Sequence, residues 1–359
     1  MRQSGLPEQN EPSTKPKRVL PEDFMRICPR TGVILGAGFS HIAGLPLAKD
    51  LFDSEFLIPS KAATQRFEIV LQSWRAWQSM HPAHGPEQFL TEIYRSPKTS
   101  VVPWSWATKL VAAILATPLP RDRGAYQARY AGRITRPVNV LEHNAFWEIM
   151  LSRFAIVAVV TTNYDLPAEQ GLRHRPMQRP KRPGIHYGGL IRPQILKGRA
   201  FPFSVTKPER QVELEGGIPL YKLHGSLNWG LDAGVLSLYQ DNRPAFRHGS
   251  DAQIVPPVLE KEAPTWLVDV WNGARQALAS CSTWIVCGYS LPIYDRVITQ
   301  LFIDAAATRV LTNIILLDPN AHVLLDRWKA VTGEVEILPL PGLPDGLSGL
   351  AACRAPLKT

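Results

Sequence analysis

The chain has 359 residues, is 45% hydrophobic and 20% charged, and carries a formal net charge of +9. That balance suits one large or two medium globular domains and excludes a disordered chain. The longest clean apolar run, Phe154–Val160, is too short to cross a bilayer, and the four cysteines (Cys28, Cys281, Cys287, Cys353) include no C-x-x-C pair for a zinc ribbon.

The first eighteen residues, MRQSGLPEQNEPSTKPKR, lack the apolar stretch of a secretory signal and predict a solvated basic tail over residues 1–20. Nothing in the cysteine usage demands an oxidising compartment, so the expected location is the cytoplasm. Val33-Ile34-Leu35 then reads as a buried strand, followed at once by Gly36-Ala37-Gly38, Phe39 and Ser40. A strand, a glycine turn and a helix start make an anion site, because glycine lets backbone approach a ligand and the first helical amides attract phosphate. The dinucleotide fingerprint wants a third glycine where His41 stands. Two readings of this turn are therefore open, a phosphate loop or a tight strand-to-helix turn.

From Lys61 to Ser105 the spacing of Phe67, Val70, Leu71, Trp74 and Trp77, then of Phe89, Leu90 and Ile93, predicts helices with core aromatics. Trp106–Leu115 predicts another buried helix, and residues 55–150 together read as a largely helical insertion. Leu141–Leu151 predicts a helix on which Asn144 is expected at the surface or in a cap. Phe154–Val160 follows as a central strand, ending in Thr161-Thr162-Asn163-Tyr164-Asp165. Asn163 and Asp165 there either line a ligand crevice or cap the next helix.

Residues 167–217 read as a basic, Pro-rich loop or lid containing His186-Tyr187-Gly188-Gly189 and Phe201-Pro202-Phe203. Much of the positive charge lies in Arg121–Arg136 and Arg173–Arg199, which suits solvated loops, an anionic ligand or an acidic partner; direct nucleic-acid binding is a lesser alternative. Leu220, Tyr221 and Leu223 suit a strand ending in His224-Gly225-Ser226. An imidazole at a strand end is either a structural residue or a general base, since its ordinary pKa of about 6.5 suits proton transfer near neutrality. Thr265–Ala279 predicts a helix, Trp284–Cys287 a strand ending in Gly288-Tyr289-Ser290-Leu291-Pro292, and Ile314–Leu317 a strand ending in Asp318-Pro319-Asn320. A last strand, Val335–Leu338, precedes a tail over residues 346–359. Strands that repeatedly end in small polar clusters before a helix imply a Rossmann-like α/β fold: a doubly wound, mostly parallel sheet with one shared crevice.

Taken together, the strand-end clusters resemble the sirtuin (SIR2) superfamily, in its SIR2-like branch of prokaryotic antiphage-defence proteins. The matching segments are Gly36–Ser40 with Ala43-Gly44-Leu45-Pro46, Thr161–Asp165, Lys222–Ser226, Gly288–Pro292 and Asp318–Asn320, in the family's order. The resemblance implies one catalytic domain over residues 21–345, with NAD+ as substrate and no metal. It implies that Gly36, Ala37, Gly38, Phe39 and Ser40 cradle the pyrophosphate, with Pro46 and Thr162 beside the cofactor. Asn163 and Asp165 would line the nicotinamide and its ribose, His224 would be the catalytic histidine, Gly288 and Ser290 would hold phosphate or ribose, and Asn320 the adenosine ribose.

Two departures bear on activity. Sirtuin deacylases carry a four-cysteine zinc module that this chain cannot build, and Pro46 is followed by Leu47-Ala48-Lys49 where they have Asp-Phe-Arg. The resemblance therefore points to an NAD+ hydrolase, not a deacylase. It implies a defence effector that is silent until triggered, held as a homo-oligomer or by a separate protein such as a HerA-like ATPase or short Argonaute. A non-catalytic NAD or ADP-ribose sensor, or a nucleic-acid-associated component of a defence complex, is the alternative.

Overall fold

The computed structural model describes residues 30–53, 64–96, 100–116, 141–173, 185–188, 195–197, 217–232, 235–239, 252–259 and 264–353. The tail at 1–20 and the Arg121–Arg136 stretch lie outside these residues, as does most of Arg173–Arg199.

Seven parallel strands form the main sheet in the order β11-β10-β9-β1-β2-β5-β3. They are β1 (Thr31–Leu35), β2 (Ile156–Thr161), β3 (Ile185–Tyr187), β5 (Ile218–Lys222), β9 (Thr283–Cys287), β10 (Asn313–Leu317) and β11 (Glu336–Leu340). β1, β9 and β10 are buried along their whole length, as the apolar runs VIL, WIV and IILL require of strands covered on both faces. A second sheet, β4-β7-β6-β8, comprises Ile195–Lys197, Val235–Tyr239, Gly225–Asp232 and Ala252–Ile254.

From β1 the chain moves out through β2 on one side, then returns to β9 on the other. The order reverses between β1 and β9, and open α/β sheets place ligands at such a switch point. Register brings the carboxyl ends level: Leu35 pairs with Thr161 and Cys287, Thr161 with Lys222, and Cys287 with Leu317. The five polar clusters therefore leave one edge of one sheet.

Ten helices are described: α1 (Ala37–His41), α2 (Thr64–Met80), α3 (Pro86–Arg95), α4 (Trp104–Leu115), α5 (Leu141–Arg153), α6 (Pro167–Arg173), α7 (Val268–Ala279), α8 (Arg296–Ala306), α9 (Ala321–Thr332) and α10 (Leu347–Ala352). The sheet core takes Trp147, Trp284 and Trp328, all fully buried. A second core joins Trp74, Phe52 and Phe89 of the helical region to Leu227, Ile254 and Tyr164. Of the helical-region tryptophans, Trp74 is buried in this core and Trp77 and Trp106 pack half-buried against it, as their spacing implied.

Several boundaries differ from expectation. α5 packs Phe146, Trp147 and Met150 into the sheet core, not into the helical layer of α2–α4. Asn144, expected at the surface, is 8% exposed, because α5 is covered on the face that carries it. The region read as a loop or lid at 167–217 contributes α6 and the edge strand β3. The segment read as a tail from 346 contains α10, with Leu350 and Cys353 buried by packing near α5.

Candidate active site at the sheet's carboxyl edge

The glycine turn meets the loop after β9 backbone to backbone. Gly38 N–H donates to Gly288 O at 3.0 Å, and Gly36 N–H to Cys287 O at 3.0 Å. Gly288 has φ +65, and a Cβ there would lie 2.4 Å from Phe39 N and 2.6 Å from Gly38 C. Gly36 and Gly38 are confined as well: a Cβ on Gly36 would lie 2.5 Å from Gly288 O and 2.6 Å from Tyr289 Cα, and one on Gly38 2.8 Å from Gly288 Cα. These glycines thus serve loop-against-loop packing at the switch point, one of the two readings the turn left open; the other remains compatible with it. Gly288→Ala should lower stability by on the order of 2–4 kcal/mol, combining a left-handed φ with overpacking against backbone. Urea denaturation reads this, and an unchanged midpoint would contradict it.

His41 replaces the third glycine because α1 ends there. Its Nδ1 donates to Leu45 O at 2.9 Å and closes the turn through Gly44, whose φ is +89. Pro46 is buried in that turn, and His143 of α5 donates from Nε2 to Phe39 O at 2.7 Å, fixing α1 from behind.

Asn163 and Asp165 turn back onto the glycine loop. Asn163 Nδ2 donates to Gly36 O at 2.7 Å and to Ser40 Oγ at 2.8 Å. A carbonyl only accepts, so the amide orientation is fixed and Oδ1 is its acceptor end. Ser40 Oγ donates in turn to Asp165 Oδ1 at 2.8 Å. The chain of donors runs one way, Asn163 to Ser40 to Asp165, and it ends on a carboxylate. Capping of α6, the alternative for these two residues, is not where these hydrogen bonds go.

Burial pushes the Asp165 carboxyl up to about 6, while the Lys222 ammonium and the Ser40 hydrogen bond hold it down and Glu169 adds to the rise. An ordinary aspartate titrates near 3.9. The folded state thus binds this proton more tightly than the unfolded one, so stability falls as pH rises from about 4 to 6, and the full penalty is present at pH 7. Asp165→Asn keeps an acceptor for Ser40 and removes the buried charge. It should gain on the order of 2–3 kcal/mol at pH 7, a gain that vanishes below pH 4. Melts of both proteins at the two pH values check the sign.

His224 follows β5 in a turn pinned by its surroundings. Leu223 N–H donates to Thr161 O, Trp271 Nε1 to Leu223 O at 2.7 Å, and Val255 N–H to His224 O at 2.8 Å. Gly225, at φ +78, has Gln253 O 2.1 Å from where a Cβ would stand, so only glycine fits. His224 Nδ1 donates to Thr162 O at 3.0 Å, which makes Nε2 the basic nitrogen of the neutral ring. Tyr164 stacks on the imidazole at 5.6 Å while packing into the second core. Asn163 and Asp165, just past β2, face the turn after β1, and His224, just past β5, is bonded to Thr162 of the same β2 loop.

Ser290 and Asn320 sit on the far side of the switch point. Ser290 is exposed after β9, and Asn320 is exposed after β10, where its N–H donates to Asp318 Oδ1 at 2.8 Å. Ala37 is exposed at the start of α1 and Thr162 is half-buried. Cys281, Cys287 and Cys353 are buried free thiols, and among the described residues no group of three His, Cys, Asp or Glu could hold a metal.

Beneath Asp165 lies a buried polar chain that the linear motifs did not disclose. Lys222 Nζ donates to Asp165 O at 2.5 Å and to Glu169 Oε1 at 2.7 Å, with side chains 0% and 2% exposed. Tyr187 Oη donates to Glu169 Oε1 and accepts from Asn228 Nδ2. Ser226 Oγ donates to Asn228 Oδ1 at 2.7 Å. Lys222 and Ser226 flank His224 in the KLHGS segment, and Tyr187 belongs to the HYGG segment. Only the topology shows that they touch.

No family model and no curated protein matches this chain. Solved structures do. A Sir2 in complex with an inhibitor, 2'-O-acetyl-ADP-ribose and a deacetylated peptide is 14% identical, over 91% of this chain and 94% of that one, with a TM-score of 0.39. A Sir2 homolog–NAD complex is 12% identical over 91% and 88%, with a TM-score of 0.44. A sirtuin structure concerned with substrate affinity is 13% identical over 90% and 92%, with a TM-score of 0.40.

Proposed function

We propose that this chain binds NAD+ at the carboxyl edge of the main sheet and hydrolyses its nicotinamide–ribose bond. The observation that carries the reading is the one-way chain Asn163–Ser40–Asp165, set directly against the glycine turn and beside His224. The motif resemblance supports it independently. Gly36–Ser40 and Gly288 would bracket the pyrophosphate, with Ser290 and Asn320 towards the adenosine ribose.

Breaking the glycosidic bond releases neutral nicotinamide and leaves an oxocarbenium-like ribose. Fixed dipoles and a carboxylate in a poorly hydrated site stabilise such a cation without reorganising. Asp165 supplies the charge, and Ser40 holds that carboxylate in place. Asn163 Oδ1 accepts from a ribose hydroxyl or the attacking water. His224 Nε2 takes the proton as the water oxygen bonds to C1′, giving ADP-ribose, nicotinamide and one proton.

The biological reading is a defence effector that depletes NAD+ once released by a trigger, whether assembly into a homo-oligomer or a separate ATPase or Argonaute partner. Product analysis after incubation with NAD+, alone and with candidate partners, tests the chemistry. Nicotinamide and ADP-ribose in equal amounts are expected. Tight binding of intact NAD+ with no nicotinamide released under any condition would make the chain a sensor and overturn the hydrolase.

A further inference from the structure

We propose that Lys222 and Glu169 are a positioning pair that fixes the Asp165 turn beneath Ser40 and Asn163, anchored to the second sheet through Tyr187 and Asn228. The inference rests on the reading of Asp165 as part of the site.

Lys222 is the last residue of β5, and the main-chain carbonyl it holds belongs to Asp165 itself. The same ammonium is held by Glu169 of α6, one turn further along the chain that leaves the site. Strand, turn and helix are thus tied at one nitrogen. Tyr187 comes from the edge strand β3 and Asn228 from β6, so both sheets contribute. Burial holds the Tyr187 phenol well above its ordinary range, so it stays a donor to Glu169.

Stability is a poor reason for this arrangement. A fully buried ion pair commonly does no better than apolar residues of the same volume. Here both donors converge on Glu169 Oε1, and the buried Oε2 has no hydrogen-bond partner among the described residues. What the pair does supply is position and charge at one point. The charged side chains acting on the Asp165 carboxyl are Lys222 and Glu169, with the Ser40 hydroxyl bonded to it. Lys222 lowers its proton affinity and Glu169 raises it, so the two partners pull in opposite directions.

The test exploits that opposition. Titration of the Asp165 carboxyl is followed by carbon NMR in protein labelled at aspartate, with Asp165→Asn identifying the resonance. Glu169→Gln, which still offers an oxygen to Lys222 and Tyr187, should move the midpoint down. Lys222→Met should move it up. If Lys222→Met does not fold, Lys222→Met with Glu169→Leu removes the unpaired Glu169 charge and should still move it up, because the Lys222 influence is the larger. The acidic limb of nicotinamide release should follow the same two directions. Unmoved midpoints, or shifts of one sign in every variant, would reduce the pair to general packing and overturn the proposal. Clear, opposite midpoint shifts in a protein that releases no nicotinamide would instead uphold the pair and sink the hydrolase.

Discussion

Replacing Lys222 by methionine should lower stability by on the order of 3–5 kcal/mol, because it leaves Glu169 buried and uncompensated. Glu169 is 2% exposed, and the ammonium bonded to it at 2.7 Å is its ion-pair partner. The phenol of Tyr187 cannot replace a cation. Methionine fills nearly the volume of the lysine stem, so the loss measures charge and hydrogen bonding more than a cavity. The double variant Lys222→Met, Glu169→Leu should recover most of it, to within roughly 1–2 kcal/mol of the parent. Chemical denaturation of the three proteins decides the matter. Equal losses in the single and double variants would mean that the pair contributes through shape alone.

Asn163→Ala and His224→Ala should each reduce nicotinamide release by roughly 10²–10⁴-fold, the usual range for a lost general base or a lost preorganised dipole. They should do so differently. Asn163→Ala also strips the partner from Gly36 O and one donor from Ser40, so the carboxylate loses its aim together with the acceptor for ribose or water. Its deficit should persist at every pH. His224→Ala removes the Nε2 base but leaves the glycine turn untouched, since its Nδ1 contact is to Thr162 O. Hydroxide can partly stand in for a missing base, so this variant should regain activity as pH rises. NAD+ affinity, measured calorimetrically, should change little in the histidine variant. Full turnover in both would remove them from the chemistry.

The sheet was legible because its signal is strong and local. Apolar runs such as Ile314–Leu317 and Trp284–Cys287 have the length and β-branching of buried strands, and glycine or Asx residues mark where each stops. The alignment of five polar strand ends followed from alternation alone, and the level register of Leu35, Thr161 and Cys287 bears it out. Boundaries were less legible. Phe154-Ala155 precede β2 because the sheet register begins at Ile156, a tertiary fact. α10 was lost in a Gly- and Pro-rich context whose only cue was Leu350. The Lys222–Glu169–Tyr187 chain was the least legible part. Its members lie in three segments with no shared periodicity, and a lysine within an otherwise apolar strand gives no hint of which acid will meet it.

The position of β1 has a consequence for biosynthesis. Its partners are β2, more than a hundred residues later, and β9, about 250 residues later. At a ribosomal rate of about 5–20 residues per second, Thr31–Leu35 waits roughly 10–50 seconds after its own synthesis before Thr283–Cys287 exists. Until then one edge of a strand that is buried along its whole length in the fold has no native neighbour, and such edges invite pairing with other chains. Long-range parallel pairing is also intrinsically slow. The earliest segment of the sheet to be made is therefore among the last to be enclosed, and the glycine turn takes its final shape only when Gly288 arrives to close against it.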